Sequence, residues 1–208
     1  KKHIISSEKR PNLPNPLLIE YNEICVQYYT HKNEAISALV RYVETLHDDI
    51  TIGSSEKIKV LNKLIGWLIE NNRMVTSYQY IAIAVDYAKQ LKQLQDYSVV
   101  GELSDYCYLA DDIETSKKLF RLYQKYLDET YEEEDLEYLK NHVRSFRYLE
   151  ADGKWDILIQ NLIDCCEGMR KQVAKNISSM NEDQREYFAQ ILDVPFEYAS
   201  ELLQRRQS

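Results

Sequence analysis

Apolar positions along this chain fall into stretches of helical period separated by short polar breaks. The clearest stretch runs Trp155, Leu158, Ile159, Leu162, Ile163, Cys166 and Met169, at steps of three and one, which puts one apolar face on one helix. Reading every stretch this way predicts four helix pairs, at about 17 to 30 with 34 to 47, 55 to 70 with 74 to 93, 97 to 110 with 113 to 129, and 134 to 150 with 154 to 171. The breaks carry their own start signals. Asn33 before Glu34 and Asp112 before Ile113 can accept hydrogen bonds from free N–H groups at helix starts, and Thr130 to Glu133 has capping-box spacing.

One phrase closes the first stretch of each pair. Val26-Gln27-Tyr28-Tyr29, Ile65-Gly66-Trp67-Leu68, Tyr106-Cys107-Tyr108-Leu109 and Phe146-Arg147-Tyr148-Leu149 recur at offsets of 39, 41 and 40 residues. A period of that size marks a unit that cannot bury its apolar face alone and stacks on its neighbours. Before the first pair, residues 10 to 16 carry Pro11, Pro14 and Pro16 and read as an extended lead-in over residues 1–16. Beyond the fourth, Asn181 to Gln184 starts a helix to about Leu192 and Asp193-Val194-Pro195 starts another, so residues 172–208 are expected to cap the array.

Composition supports helices. Pro is absent from Leu17 to Val194 and the chain has 5 Gly, too few turn formers for a sheet protein of 208 residues. The fold class expected is therefore all-α. A net charge of −8 argues against nucleic acid as a partner. No apolar run approaches the roughly 20 residues that span a bilayer, and Lys1 to Ile5 lacks a signal-peptide core, so a cytoplasmic chain that does not engage membranes is expected.

Candidate chemistry is thin. Cys25, Cys107, Cys165 and Cys166 form no C-x-x-C pair and have no His at zinc spacing, so free thiols and no metal or other cofactor are expected. Neighbours on a helix point about 100° apart, which disfavours a 165/166 disulfide. The acidic run 128 to 135 holds six carboxylates but lacks the alternating ligands and Gly of a calcium loop, and reads as a solvated helix start. No phosphate loop, H-E-x-x-H, or nucleophile with a paired His is present, so no enzyme is expected.

The phrases resemble tetratricopeptide repeats. In that family a bulky residue is followed three places later by a Leu-like one, as in Val26/Tyr29, Ile65/Leu68, Tyr106/Leu109 and Phe146/Leu149, and an apolar or aromatic residue opens the second helix, near Asn33, Met74, Ile113 and Trp155. The chain departs from the family at the Gly-like turn position, which holds Thr30, Ile69, Ala110 and Glu150, and in its longer period. The resemblance implies a right-handed α-solenoid of about four antiparallel helix pairs over residues 17–171, plus C-terminal capping helices.

It further implies a concave face lined by first helices, at Ile24 and Gln27, Lys63 and Gly66, Ser104 and Cys107, and Arg144 and Arg147. Of these, Gln27, Lys63, Ser104, Arg144 and Arg147 are the candidate partner-binding residues, basic toward the fourth repeat and suited to an acidic protein or peptide. The stretch Lys175 to Phe188 is similar to the junction before the caspase-like module of bacterial proteins that join these repeats to a CHAT domain, which would make that module a partner within one longer protein. The expected function is a non-catalytic protein interaction scaffold. The alternative is the peptide-sensing, dimerising part of a bacterial transcription regulator.

Overall fold

The computed structural model describes residues 11–131 and 136–176, with the single positions 181, 182, 185 and 204. Eight α-helices appear among them: α1 Asn15–Gln27, α2 Lys32–Asp48, α3 Ser54–Glu70, α4 Met74–Ala88, α5 Val100–Leu109, α6 Ile113–Thr130, α7 Leu136–Ala151 and α8 Trp155–Asn176. No strand occurs among the described residues. The Thr130 to Glu133 box lies partly, and the expected C-terminal cap helices mainly, outside them.

Helix bounds follow local chemistry, with departures from expectation at the start of α2 and the end of α4. α1 begins at Asn15 and takes Pro16 into its first turn, where a missing N–H costs nothing. Asp112 Oδ1 does accept from the Thr115 N–H at 3.1 Å, capping α6. Asn33, by contrast, already lies inside α2, and its Oδ1 accepts from Arg73 Nη2 at 2.8 Å, tying the second repeat's turn to the first. α4 stops at Ala88 rather than near residue 93, and a 3₁₀ segment, Leu94–Val99, leads directly into α5.

Three of the pairs turn in the same way. Arg73 N donates to the Leu68 carbonyl, Asp112 N to that of Cys107 and Lys154 N to that of Leu149, each reaching back five residues at 2.8 to 2.9 Å. The residue before each donor is left-handed: Asn72 at φ 58°, Asp111 at φ 63° and Gly153 at φ 67°. Asn, Asp and Gly are the residue types that visit this region at least cost, and the bond satisfies a carbonyl at the helix end. Asn72, Asp111 and Gly153, not Ile69, Ala110 and Glu150, thus take the conformation that glycine favours in these turns.

The chain forms two compact units, Lys1–Tyr126 and Leu127–Ser208, with the boundary in the sequence of α6. In the first unit α3 is the central helix, packed on α2, α4 and α5 and on the 3₁₀ segment. Ile58, Leu61, Leu64, Ile65 and Leu68 are buried around most of its circumference, and Asn62 Nδ2 reaches the Val99 carbonyl at 2.9 Å in the interior. In the second unit Phe146 of α7 packs with Leu158, Leu162 and Cys165 of α8. This corrects the expected stripe on α8. Its buried line passes through Cys165 instead of Cys166, while Ile159 and Ile163 stay about half exposed.

Candidate functional site

The first helices supply the surface that the sequence nominates. Their phrases meet through the third position: the Tyr28 and Trp67 rings stack at 3.9 Å with an interplanar angle of 3°. Ring stacking of this kind adds to the burial of two large apolar groups. Around it, Tyr28 Oη donates to Glu70 Oε2 at 3.0 Å and accepts from Asn71 Nδ2 at 2.7 Å, and that amide also reaches the Trp67 carbonyl. Lys32 lies over the Tyr28 ring and Lys63 over the Trp67 ring, with Nζ 5.6 and 5.8 Å from the centroids. Burial raises the Tyr28 hydroxyl above the usual phenol value, opposed by the Asn71 hydrogen bond and reinforced by Glu70.

Two candidate residues border this stack. Gln27 is exposed beside Tyr28, and Lys63 is half-buried over Trp67. Gly66 explains itself here, because a Cβ on it would come within 2.9 Å of the Tyr106 hydroxyl. Phrase two gives up its second side chain so that phrase three can approach.

Ser104 does not join them. It is fully buried, as is Cys107, and Ile24 is 6% exposed. These three positions face α-helical neighbours, and the Ser104 carbonyl accepts from Ser116 Oγ of α6 at 2.6 Å. The physical reason is the residue type: at those positions the chain carries small or apolar side chains that allow close helix approach, and an interior contact outcompetes a groove.

Arg144 and Arg147 lie on α7 of the second unit, both half-buried. Arg147 folds back on its neighbour, its guanidinium carbon 4.8 Å from the centre of the Tyr148 ring and Nη2 2.9 Å from the Tyr148 hydroxyl. The stem and the planar head are therefore part of the packing of α7 as well as a source of charge. All four thiols are free. Burial pushes Cys107 and Cys165 up to about 12, so neither is a thiolate at neutral pH. Cys25 is also raised by burial, against the lowering pull of Tyr21 and Lys63.

The Tyr28–Trp67 stack has a signal in the sequence. The third position of every phrase is aromatic, Tyr28, Trp67, Tyr108 and Tyr148.

No family model matches the sequence, and no curated protein matches it either. Solved structures do. An array of nearly identical TPR-like repeats assigned to a kinesin light chain of Podosopora anserina aligns over 94% of this chain and 92% of its own length, with a TM-score of 0.55 and 14% identity. A single-substitution variant of that array aligns over the same shares with a TM-score of 0.56, also at 14% identity. The fold is a TPR-like α-solenoid. At such low identity the likeness reaches the architecture and stops there, so the side chains of this chain must carry any functional reading. Among the described residues no helix is long and apolar enough to cross a membrane.

Proposed function

We propose that the chain is a non-catalytic scaffold that holds a peptide segment or an adjoining effector domain. The observation that carries this is α1, which is apolar on two opposite sides. Tyr21 and Ile24, with Tyr28 just beyond the helix end, form its buried side. Ile19, Val26 and Tyr29 are 59, 70 and 64% exposed, and at about 100° per residue they fall on the other side. Large apolar side chains gathered on one outer face mark a surface that another protein covers.

The finer reading keeps Gln27 and Lys63 beside the Tyr28–Trp67 stack, and Arg144 and Arg147 on α7, as groups that meet an acidic segment. Similarity of Lys175 to Phe188 to the junction before a caspase-like module favours that module, within a longer bacterial cytoplasmic protein, as the effector. The catalytic group would then belong to the partner.

Selection of displayed peptides against the chain, followed by titration of the selected peptide, tests the reading. Val26→Glu with Tyr29→Glu should abolish binding with little change in melting temperature, since both residues are exposed. Selected peptides should be acidic, and Lys63→Glu should weaken them on the order of tenfold. Undiminished binding by the α1 variant would remove the scaffold surface, and a charge-neutral selection would remove the acidic partner.

A further inference from the structure

The second helices enclose a separate feature. Between the C-terminal half of α2 and the facing side of α4, over the first turns of α3, lies a cavity of about 410 Å³. That volume is in the range of sites that hold small ligands or peptide side chains. Val43, Leu46, Leu61 and Ile83 give it an apolar floor and walls.

Gln79 and Tyr80, which hydrogen-bond each other, also line it, and its charged and remaining polar groups fall into two sets. The first is closed on itself. Lys57, only 7% exposed, donates from Nζ to the His47 carbonyl at 3.0 Å and sits 5.2 Å from the centre of the Tyr87 ring, while the Tyr87 hydroxyl meets His47 Nδ1 at 2.6 Å. This ring of three joins α2, α3 and α4 and fixes the cavity's shape. It also occupies the Lys57 ammonium, which acts in addition on Asp49, whose carboxyl is held low chiefly by hydrogen bonds from Thr51.

The second set is Glu44 and Asp48, which line the same cavity and are exposed. Neither enters an ion pair or hydrogen bond among the described residues. They stand one turn apart on α2, so their Cβ atoms are about 5–6 Å apart and their charges repel. Asp48 is moreover the last residue of α2, where the helix dipole already presents its negative end. Two carboxylates are thus set against each other and against the helix, beside an apolar hollow, and a sequence breaks local rules of this kind where a ligand repairs them.

We propose that this cavity is a second docking site, which receives an arginine side chain from an apolar peptide segment of a partner protein. The stem and neighbouring apolar residues would lie on the Val43, Leu61 and Ile83 surface, and the planar guanidinium would be shared by Glu44 and Asp48, whose spacing suits its fork of donors. Arginine fits this site better than a compact ammonium, because one planar head can serve both carboxylates while its stem stays dry. The site stands apart from the first-helix surface of the preceding proposal in both position and charge, so either can fail without the other.

The test is a fluorescence titration of the intact chain with a labelled Ala-Leu-Arg-Leu-Leu peptide and with the same peptide carrying citrulline, which keeps the shape and removes the charge. The arginine peptide should bind more tightly, on the order of tenfold. Glu44→Gln with Asp48→Asn should erase that preference, leave the affinity for the citrulline peptide unchanged, and leave the free protein melting no lower than wild type. Equal affinities for the two peptides, no binding of either, or a preference that survives in the variant would overturn the site. Lys63→Glu serves as the control that disturbs only the first-helix surface.

Discussion

Helices α3 and α8 are similarly amphipathic on paper and end in different surroundings. α3 is packed on by α2, α4, α5 and the 3₁₀ segment, so Ile58, Leu61, Leu64, Ile65 and Leu68 are each 1% exposed or less. α8 packs within its own unit on α7, where Leu158, Leu162 and Cys165 lie buried among the described side chains. Ile157, Ile159 and Ile163 remain 52, 45 and 48% exposed. In a stacked array the width of the buried stripe follows from the number of neighbours, because each neighbouring helix covers one sector of the cylinder. An apolar residue is therefore worth little until its sector is occupied.

Truncation should expose this contrast most sharply. Leu64→Ala in α3 should cost about 2–5 kcal/mol and Phe146→Ala in α7 about 3–5 kcal/mol, since both side chains are enclosed and would leave cavities. Ile163→Ala should stay within about 0.5 kcal/mol, the range of ordinary surface changes. Denaturant melts of the three variants decide the matter. A loss for Ile163→Ala comparable to that for Leu64→Ala would mean that α8 is as enclosed as α3.

The next effect is on α7. From the sequence, Arg144 and Arg147 are candidate partner-binding residues on a concave face. The structure half-buries both and lays Arg147 across Tyr148. Arg144→Glu with Arg147→Glu should therefore destabilise the fold by about 1–3 kcal/mol, through lost packing and through carboxylates placed in a partly dry setting. Unchanged melting would return both arginines to the surface and leave α7 with a narrower contact face.

How much of this was legible follows from the range over which each signal acts. Helix boundaries are local, and the pairs emerge from period and punctuation, as at Asp112. Asn72, Asp111 and Gly153 are residue types that form left-handed turns, a local signal independent of the Gly-like position that holds Ile69, Ala110 and Glu150. Burial is not local. Nothing near Ser104 says that α6 will lie against it, and Ile163 has the same neighbours in sequence as a core residue would. The Glu44 and Asp48 cavity is harder still, since it depends on how α2, α3 and α4 splay.

Glycine gives a finer comparison within the first unit. A Cβ at Gly101 would lie 2.8 to 3.0 Å from three carbons of the Tyr123 ring, whereas one at Gly66 would meet chiefly the Tyr106 hydroxyl, the far end of its side chain. A ring buried to 7% exposure has little room to shift, so Gly101→Ala should cost about 1–3 kcal/mol despite the better helix propensity of Ala. Gly66→Ala should cost less than about 1 kcal/mol. Equal melting of the two variants would show that the α5–α6 contact yields as readily as the contact between phrases.

Thiol chemistry gives the smallest effect on stability near neutral pH, and it compares the two units directly. Cys107 and Cys165 are fully buried, whereas Cys25 and Cys166 are partly accessible. Alkylation of the native chain at about pH 8 should modify Cys166 and Cys25 first and reach Cys107 and Cys165 only after unfolding, because the thiolate is the nucleophile. The pH dependence has a definite sign. Folding raises the two buried thiols from 9.0 to about 12, so the unfolded chain loses these protons first. Their contribution is intact below about pH 9 and is lost as pH rises toward about 12, which lowers stability over that window. Cys107→Ala with Cys165→Ala should flatten that decline relative to wild type, whatever the variant loses in packing at pH 7. Rapid native alkylation of Cys165 would show that α8 opens where α5 does not, and would extend the contrast between their surroundings from static burial to local unfolding.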